Sequence, residues 1–406
     1  MPCVWRWRSA CLLVTASAAE THPDRFAPSQ PFVIIGQNRV SAEPDQDVFV
    51  FRIGQLGDTL VALPAIHRIA ELHPGARLWL ITNVPPTPSM VTAWDVLTHT
   101  GLFEGVLFYR RWHPGELLQL LLRCRAGRRR LLYYLSPSRS VTQLVRDTLF
   151  LRVACGFRHI EAMPLPTRVA PRDARGHLLV LPRESERLLR SVDPQARAPA
   201  TPFLRPPPAA AAKVEQLLAP FGDLEDLPLI AVGPGSKMPA KRWFLDRYLE
   251  ICRRIVAHKP ESRLMILGGA EDHAAGQAIV ETLGPERVLN LAGKTNIIES
   301  AAALSRAGLY VGNDTGTMHL AASMGVPCVA IFTSRDNRDT WSPWGEEHAI
   351  LRRDLACSGC MLERCERERM RCLDLISVDD VWREVEPRLN SLRAAASSPR
   401  VLSCRS

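Results

Sequence analysis

The stretch VFVFRIGQLGDTLVALPAIHRIAEL, residues 48–72, decides how the rest of this sequence is interpreted. An apolar run from Val48 to Ile53 leads into a glycine-containing turn, and apolar residues at helical spacing follow. This order predicts a strand, a glycine turn and a helix over Thr59–Leu72, an arrangement in which many proteins bind a phosphate at a helix N-terminus. Asp58 stands where the phosphate would bind, so this turn needs another explanation.

Strand and helix patterns alternate along the chain. Helices are predicted at Val91–Thr100 and Gly115–Arg125, between apolar runs that have the composition of buried strands. Such alternation predicts an α/β fold of two Rossmann-like, doubly wound domains, with a ligand in the cleft between them at the carboxyl ends of the strands. The strands after the first are predicted in ARLWLITN, GVLFYR, RRLLYYLS, LPLIAVGPGS, SRLMILGG, RVLNLAG, AGLYVGND and PCVAIFTS.

The length of 406 residues favours two domains. We predict an N-terminal extension over residues 1–46, a first domain over 47–205, a second over 206–395 and a tail over 396–406. The extension faintly resembles a secretory signal, but its broken apolar patch fits a disordered segment better. The Pro- and Ala-rich run ATPFLRPPPAAAAK, residues 200–213, is interpreted as the linker.

Composition excludes several protein classes. Hydrophobic residues make up 46% of the chain and charged residues 23%, which is typical of globular domains. No run approaches the length of a membrane span, and the missing G-x-G-x-x-G weakens a dehydrogenase interpretation. The net charge of +9 favours anionic partners, although we do not expect nucleic acid. Isolated cysteines such as Cys155, Cys252 and Cys328 fit reduced, buried thiols.

The run AVGPGSKMPAKRW follows the first predicted strand of the second domain. The glycines would allow a tight turn and a close approach of the backbone to a ligand. A hydroxyl and three cations stand just before the next helix, and the run would form a diphosphate site without a metal. A solvated basic turn is the alternative. The residues concerned are Gly233, Gly235, Ser236, Lys237, Lys241 and Arg242.

The run YVGNDTGTMHLAASMGVP carries the strongest signal. Thr315 and Gly316 would present backbone N–H groups to phosphate, Asp314 would order the loop or bind a sugar hydroxyl, and His319 would face the cleft. A helix cap and a structural histidine explain the same residues. Near LGGAEDHAA, Glu271 either binds ribose hydroxyls or interacts only with the helix dipole.

Together these motifs resemble the heptosyltransferase family, family nine of the glycosyltransferases. The segments that carry the resemblance occur in the family's order across residues 48 to 390, and they are closer in the second half. They are FRIGQLGDTLVALPAI, PGSKMPAKRW, LGGAED, LAGKTNIIESAAALSRA and VGNDTGTMHLAASMGVPCVAIF.

The resemblance implies a GT-B fold and transfer of heptose from ADP-heptose to the lipopolysaccharide inner core or a related glycolipid, with inversion. It implies neither a bound metal nor another cofactor. It places the general base on Asp58, which would explain the carboxylate in the glycine turn. The donor residues that it implies are Ser236, Lys237, Lys241, Glu271, Asp314, Thr315, Gly316 and His319. FTSRDNRDTWSPWG departs from the family pattern, so no residue there is assigned.

Two other features leave alternatives open. The arginines of CRAGRRR and Arg139, Arg146, Arg152 and Arg158 either attract an anionic glycan or leaflet, or form a solvated turn. They motivate the expectation of a cytoplasmic protein at the inner face of the inner membrane. A Cys-rich loop over 357–372 would hold structural zinc or, more simply, reduced thiols or a disulfide. Its cysteines are Cys357, Cys360, Cys365 and Cys372.

Two rival functions remain. One is another GT-B nucleotide-sugar enzyme, with a different donor or an epimerase activity. The other is a nucleotide-binding scaffold without catalysis. Asp58 together with the cationic run favours the transferase, because a scaffold needs neither.

Overall fold

Two sheets of six strands each organise the part of the chain that the structure describes. The computed structural model describes residues 33–35 and 46–392, except 86, 88–89, 111–112, 127–129, 137–139, 166–170, 175, 177, 223–226 and 367. The predicted C-terminal tail, most of the predicted N-terminal extension, Arg139 and the glycine and two arginines at 127–129 lie outside the described residues.

The first sheet has the strand order β1-β4-β3-β2-β5-β6, and all its pairings are parallel except that of β1 with β4. Counted from β2, the order of the parallel strands is that of a doubly wound fold, with its switch point between β2 and β5. The strands are β1 (Val33–Ile35), β2 (Asp47–Phe51), β3 (Arg77–Asn83), β4 (Phe103–Tyr109), β5 (Leu131–Tyr134) and β6 (His159–Glu161).

The second sheet is entirely parallel, in the order β12-β11-β10-β7-β8-β9. Its switch point lies between β7 and β10, so the loops that leave these two strands lie side by side. The strands are β7 (Leu229–Gly233), β8 (Arg263–Ile266), β9 (Val288–Asn290), β10 (Leu309–Asn313), β11 (Cys328–Phe332) and β12 (Ala349–Arg352).

Thirteen α-helices connect these strands and cover the sheets within the described residues. They are α1 (Leu56–Leu60), α2 (Leu63–Leu72), α3 (Ala93–Leu97), α4 (Pro114–Ala126), α5 (Val141–Leu149), α6 (Glu184–Val192), α7 (Pro208–Leu218), α8 (Leu245–His258), α9 (His273–Leu283), α10 (Ile297–Ser305), α11 (Gly316–Ser323), α12 (Arg371–Asp374) and α13 (Val378–Ser391). None of the helices in the described ranges is long and apolar enough to cross a bilayer.

Strand β2 shows why the apolar run was a reliable signal. Successive side chains of a strand point to opposite faces. Val48 and Val50 accordingly enter one hydrophobic core, while Phe49 and Phe51 enter the core on the other face of the sheet. Because helices cover both faces, every residue of the strand is buried and the sequence shows a continuous apolar run.

The helix predicted over Thr59–Leu72 is wrong in its bounds. The helical residues begin at Leu56, and the segment divides into α1 and α2 around Val61–Ala62. Pro64 lies in the first turn of α2, where its missing N–H is tolerated, so a new helix starts there. Asp58 therefore lies inside the first turn of α1, rather than before the helix.

Three strands and the predicted linker also differ from expectation. Strands β1, β6 and β12 were not predicted, since runs of three or four residues carry little periodicity. Helix α7 begins at Pro208, so the Ala-rich half of the predicted linker is helical. Alanine is the best helix former, and a proline in the first turn favours helix initiation. Phe203 and Leu204 of the same run are buried.

The two sheets share one continuous apolar core. The core that contains Val48 also contains Met265 and Tyr310 of the second sheet. Helix α1 packs directly on α11 across this junction. A Cβ atom added to Gly316 would lie only 2.8 Å from Leu56 Cδ2, and one added to Gly57 would lie 3.4 Å from His319 Cδ2. The N-terminal turns of two helices thus approach each other through glycine.

The close approach of α1 and α11 predicts that a side chain at position 316 destabilises the protein. Gly316→Ala should destabilise the protein by about 1–2 kcal/mol, because Leu56 must repack. Gly115→Ala is the matched control, since nothing lies within 4 Å of a Cβ at that helical position and alanine favours helix. Urea denaturation measures both variants. Equal stability of the two variants would contradict the close approach of α1 and α11.

Candidate active site

Asp58 lies at the carboxyl end of β2, in the first turn of α1. The backbone N–H of Gln55 donates to Asp58 Oδ2 at 2.8 Å, so the carboxylate caps the helix. The side chain is only half-buried, which leaves it accessible from solvent. A helix N-terminus favours a negative charge at this position.

Arg52 binds the turn that contains Asp58, a role that the sequence analysis did not predict. Its guanidinium is fully buried and donates from Nη1 to the Leu135 carbonyl at 2.5 Å and from Nη2 to the Asp58 carbonyl. It thereby connects the ends of β2 and β5 at the switch point of the first sheet. The sequence did contain one signal, the charged residue inside the apolar run VFVFRI. A charged side chain is seldom fully buried unless it is paired, so this position indicated a buried partner.

His319 faces Asp58 from the first turns of α11. Burial lowers the pKa of His319 to about 4, and the nearby Lys241 also lowers it, while Asp314 and Asp58 act in the opposite direction. The imidazole is therefore neutral at pH 7. A neutral imidazole offers one donor and one acceptor, so it does not behave as a cation in this site.

A buried ionic network lies behind the N-terminus of α11. Lys241 Nζ donates to Asp314 Oδ2 at 2.6 Å and lies 4.0 Å from Asp336 Oδ2. Arg335 Nη1 in turn contacts Asp336 Oδ2 at 2.9 Å. Two cations and two carboxylates thus balance in charge. Sequence analysis assigned Lys241 and Asp314 but left out Arg335 and Asp336, because their segment departs from the family pattern.

Asn313, the last residue of β10, holds the loop that follows β7 in place. Its Nδ2 donates to the carbonyls of Pro234 and Gly235 at 2.8 and 3.2 Å. Its Oδ1 accepts from the Trp243 backbone N–H at 3.1 Å and from the Tyr248 hydroxyl at 2.9 Å. A single buried amide therefore connects β10 with both ends of the loop that follows β7.

The glycines of this loop serve the protein's own packing. A Cβ at Gly233 would overlap the Tyr310 hydroxyl, and one at Gly235 would overlap the Asp272 carboxylate. Asp272 is itself buried and accepts from the Gly269 N–H at 3.0 Å, and burial raises the pKa of its carboxyl group. The predicted reason for these glycines, close approach of a ligand, is thus replaced at Gly233 and Gly235 by close approach of side chains.

The remaining predicted donor residues lie at the same edge of the second sheet. Ser236 is buried and its hydroxyl accepts from the Met238 N–H at 3.2 Å. Lys237 and Glu271 are exposed. Thr315 is the N-cap of α11, yet its side chain makes no capping hydrogen bond. The first N–H groups of α11 therefore lack a side-chain cap, as an anion site at a helix N-terminus requires.

The Cys-rich loop reinforces the ionic network through its backbone. The Met361 N–H donates to the Arg335 carbonyl at 3.0 Å, and Arg335 Nη2 donates back to the Met361 carbonyl at 2.8 Å. The Ala240 N–H, next to Lys241, donates to the Glu363 carbonyl at 3.0 Å. The loop therefore holds both segments that supply the network.

The cysteines of this loop do not form a metal centre in the structure. No group of three or more His, Cys, Asp or Glu side chains among the described residues lies in a geometry that could hold a metal ion. The eight described cysteines are free thiols, and Cys155, Cys252 and Cys328 are buried as predicted. Cys357, Cys360, Cys365 and Cys372 form no disulfide with each other in the structure.

The low pKa of His319 predicts a specific pH dependence of stability. The unfolded chain protonates this imidazole below about pH 6.5, whereas the folded chain protonates it only near pH 4. The contribution of His319 to the free energy of unfolding is therefore fully present above pH 6.5 and decreases as the pH falls. Between pH 7.5 and 5.5 the contribution is about 1 kcal/mol.

His319→Gln should remove this contribution, and urea denaturation of both proteins at the two pH values measures it. Burial also lowers the pKa of His67, His73, His99 and His348, so the informative quantity is the difference between the protein and its variant. Parallel losses of stability in both proteins would show that His319 takes up its proton at an ordinary pH.

Comparisons with known proteins agree with this geometry. Residues 201–371 match the family described as glycosyltransferase family 9 (heptosyltransferase). Lipopolysaccharide heptosyltransferase 2 of Salmonella typhimurium is 33% identical over 116 residues, which cover 28% of this chain and 33% of that protein. The chain thus matches about a third of the length of that curated relative.

Two solved structures show the fold over most of the chain. A glycosyltransferase family 9 protein from Veillonella parvula superposes with a TM-score of 0.66 at 16% identity, over 87% of this chain and all of that one. The E. coli ADP-heptose lipopolysaccharide heptosyltransferase II gives 0.60 at 19% identity, over 85% and 99%. These likenesses confirm the predicted GT-B fold.

The family resemblance of the sequence motifs is confirmed where it was strongest, in the second sheet and its loops. Over residues 201–371 this chain is therefore similar to glycosyltransferase family 9, the heptosyltransferase family.

Proposed function

We propose that this chain transfers a heptose from ADP-heptose to the lipopolysaccharide inner core or a related glycolipid, with inversion and without a bound metal. The family 9 domain supports the reaction class, and a solved structure with the same fold is named as an ADP-heptose heptosyltransferase. The observation that carries the proposal is the contact of α1 with α11, which brings Asp58 close to the N-terminus of α11.

In this proposal the diphosphate of the donor binds at the N-terminus of α11, at Thr315 and Gly316. The helix dipole and the first N–H groups would stabilise the departing ADP. Lys241 uses one of its three donors on Asp314 and keeps the others for phosphate oxygens. Exposed Lys237 and Arg242 would add the net positive charge, since the buried network is neutral as a whole.

The remaining donor contacts involve the sugar portions of the nucleotide. Glu271, exposed at the end of β8, would accept hydrogen bonds from the ribose. Ser236 and His319 would contact the diphosphate and the heptose, with neutral His319 acting as a hydrogen-bond partner. Asp314 would orient Lys241, which it contacts at 2.6 Å.

Asp58 would be the general base. Inversion requires the acceptor oxygen to attack the anomeric carbon from the face opposite to ADP, while a base removes its proton. The half-buried Asp58 lies in α1 next to Gly57, which approaches His319 in the first turns of α11. Its carboxylate would receive the acceptor's proton on the face of the heptose opposite to the diphosphate.

Asp58→Asn tests this role, and the chain offers a close control. Asp95 occupies the same third position of α3, where it accepts the Thr92 N–H at 2.8 Å, as Asp58 accepts that of Gln55. Both substitutions should weaken a helix cap, and Asp95→Asn at least as much, because Asp95 also accepts from the Thr92 hydroxyl at 3.0 Å. Only Asp58→Asn should lower kcat for heptose transfer, by about 10²–10⁴-fold.

The assay contains ADP-heptose and a heptose-deficient core acceptor, with ADP release and product mass as readouts. Undiminished transfer by Asp58→Asn would reject the assigned base, and an equal loss in Asp95→Asn would indicate a structural effect. Donor binding without transfer by the unmodified protein to any core acceptor would favour the scaffold alternative.

Metal removal is a separate test. Because helix N-termini and cations are proposed to stabilise ADP, extensive dialysis against EDTA should leave kcat and KM within about twofold. Loss of activity that returns with one divalent ion would contradict the metal-free mechanism and would leave the proposed base unaffected.

A further inference from the structure

Helix α5 and the π-helical segment that continues it, Phe150–Ala154, carry an apolar row on their solvent side. Val141, Val145, Leu149 and Val153 are four residues apart, so they follow one face of the helix. They are 60, 53, 57 and 70% exposed. The solvent-facing side of an ordinary surface helix is polar, whereas this one carries a row of apolar side chains.

Helix α4 extends the row into a surface. Its Leu118 and Leu122, one turn apart, are also exposed. Both helices cover the same face of the first sheet, because Leu120 of α4 and Leu144 of α5 enter one core. Arg125 at the end of α4 donates to the carbonyls of Val153 and Ala154, which fixes the two helices side by side. We call the six exposed side chains, Leu118, Leu122, Val141, Val145, Leu149 and Val153, the α4–α5 face.

The charges around this face have one sign. Residues 113–158 contain nine arginines and two carboxylates. Both carboxylates are buried and paired, Glu116 with Arg110 and Asp147 with Tyr134 and Arg146. Arg125, Arg146 and Arg152 are exposed beside the apolar row. The outward surface is therefore apolar and cationic, without an exposed carboxylate in the described residues of this segment.

We propose that the α4–α5 face docks on the surface of a bilayer that contains anionic lipid. Apolar side chains enter the interface between headgroups and acyl chains, while arginines bind lipid phosphates, a combination typical of peripheral membrane helices. A second copy of the chain fits this face less well. A two-fold contact would place arginines against arginines with no carboxylate to pair them.

The position of the face fits an acceptor that is a glycolipid. Helix α5 follows β5, and the end of β5 is joined to the Asp58 turn through the bond from Arg52 to Leu135. The apolar row thus starts at the edge of the first sheet that carries Asp58. Docking goes beyond the proposed function, since binding of a bilayer requires neither donor nor transfer.

The test is co-sedimentation of the full chain with vesicles of phosphatidylcholine alone or mixed with phosphatidylglycerol. We expect binding to the mixed vesicles that weakens as salt increases. The double variant Val145→Asp/Leu149→Asp should reduce the partition coefficient at least about tenfold. Arg152→Gln should reduce it about fivefold, on anionic vesicles only.

Leu375→Asp is the matched control, an exposed leucine of the second half of the chain that should bind like the unmodified protein. Thermal denaturation confirms that each variant is folded. Equal binding by the double variant would overturn the proposal and would place any membrane contact elsewhere on the chain. A dimer in sedimentation velocity that the double variant abolishes, without vesicle binding, would instead assign the face to a second copy.

Discussion

The close approach of α1 and α11 is the constraint on which the rest of the candidate site depends. Each helix begins at the switch point of its own sheet, and each brings an N-terminal turn to the junction. Glycines at positions 57 and 316 allow the backbones to come this close. Because the loops of a sheet converge at its carboxyl edge, joining two such edges brings a carboxylate of one domain close to the N-terminus of a helix of the other, which has no side-chain cap. Neither domain has both elements alone.

The fold and most of the candidate site could be predicted from the sequence, because both depend on local patterns. The run around Val48 is apolar since both faces of its strand are buried, and the motif around Asp314 lies on one strand and one helix. What escaped prediction depends on contacts between distant residues. Arg52 meets Leu135, 83 residues away, and Arg335 meets Met361 of the Cys-rich loop, 26 residues away. Such partners leave no periodic signal.

The glycines show how a correct motif can have an incorrect explanation. Gly233 was singled out as a place where a ligand approaches the backbone, yet the Tyr310 hydroxyl fills that space. A glycine in a sequence indicates only that a side chain would not fit at that position. It does not identify the group that occupies the space. Pro64 explains why the segment divides into α1 and α2, whereas the position of Asp58 follows from the start of α1 at Leu56. Asp58 becomes part of a helical turn whose geometry the Gln55 hydrogen bond fixes.

The ionic network behind α11 is better understood as a positioning device than as a source of stability. Burying four charges costs solvation free energy that their mutual attraction rarely exceeds. The Cys-rich loop nevertheless supports the network with backbone hydrogen bonds to Arg335 and to Ala240 beside Lys241. Since the four charges cancel, the network attracts an anion only weakly over long distances. The network fixes the position of the Lys241 ammonium, while the exposed cations of the loop and the N-terminus of α11 would supply the attraction for the proposed diphosphate.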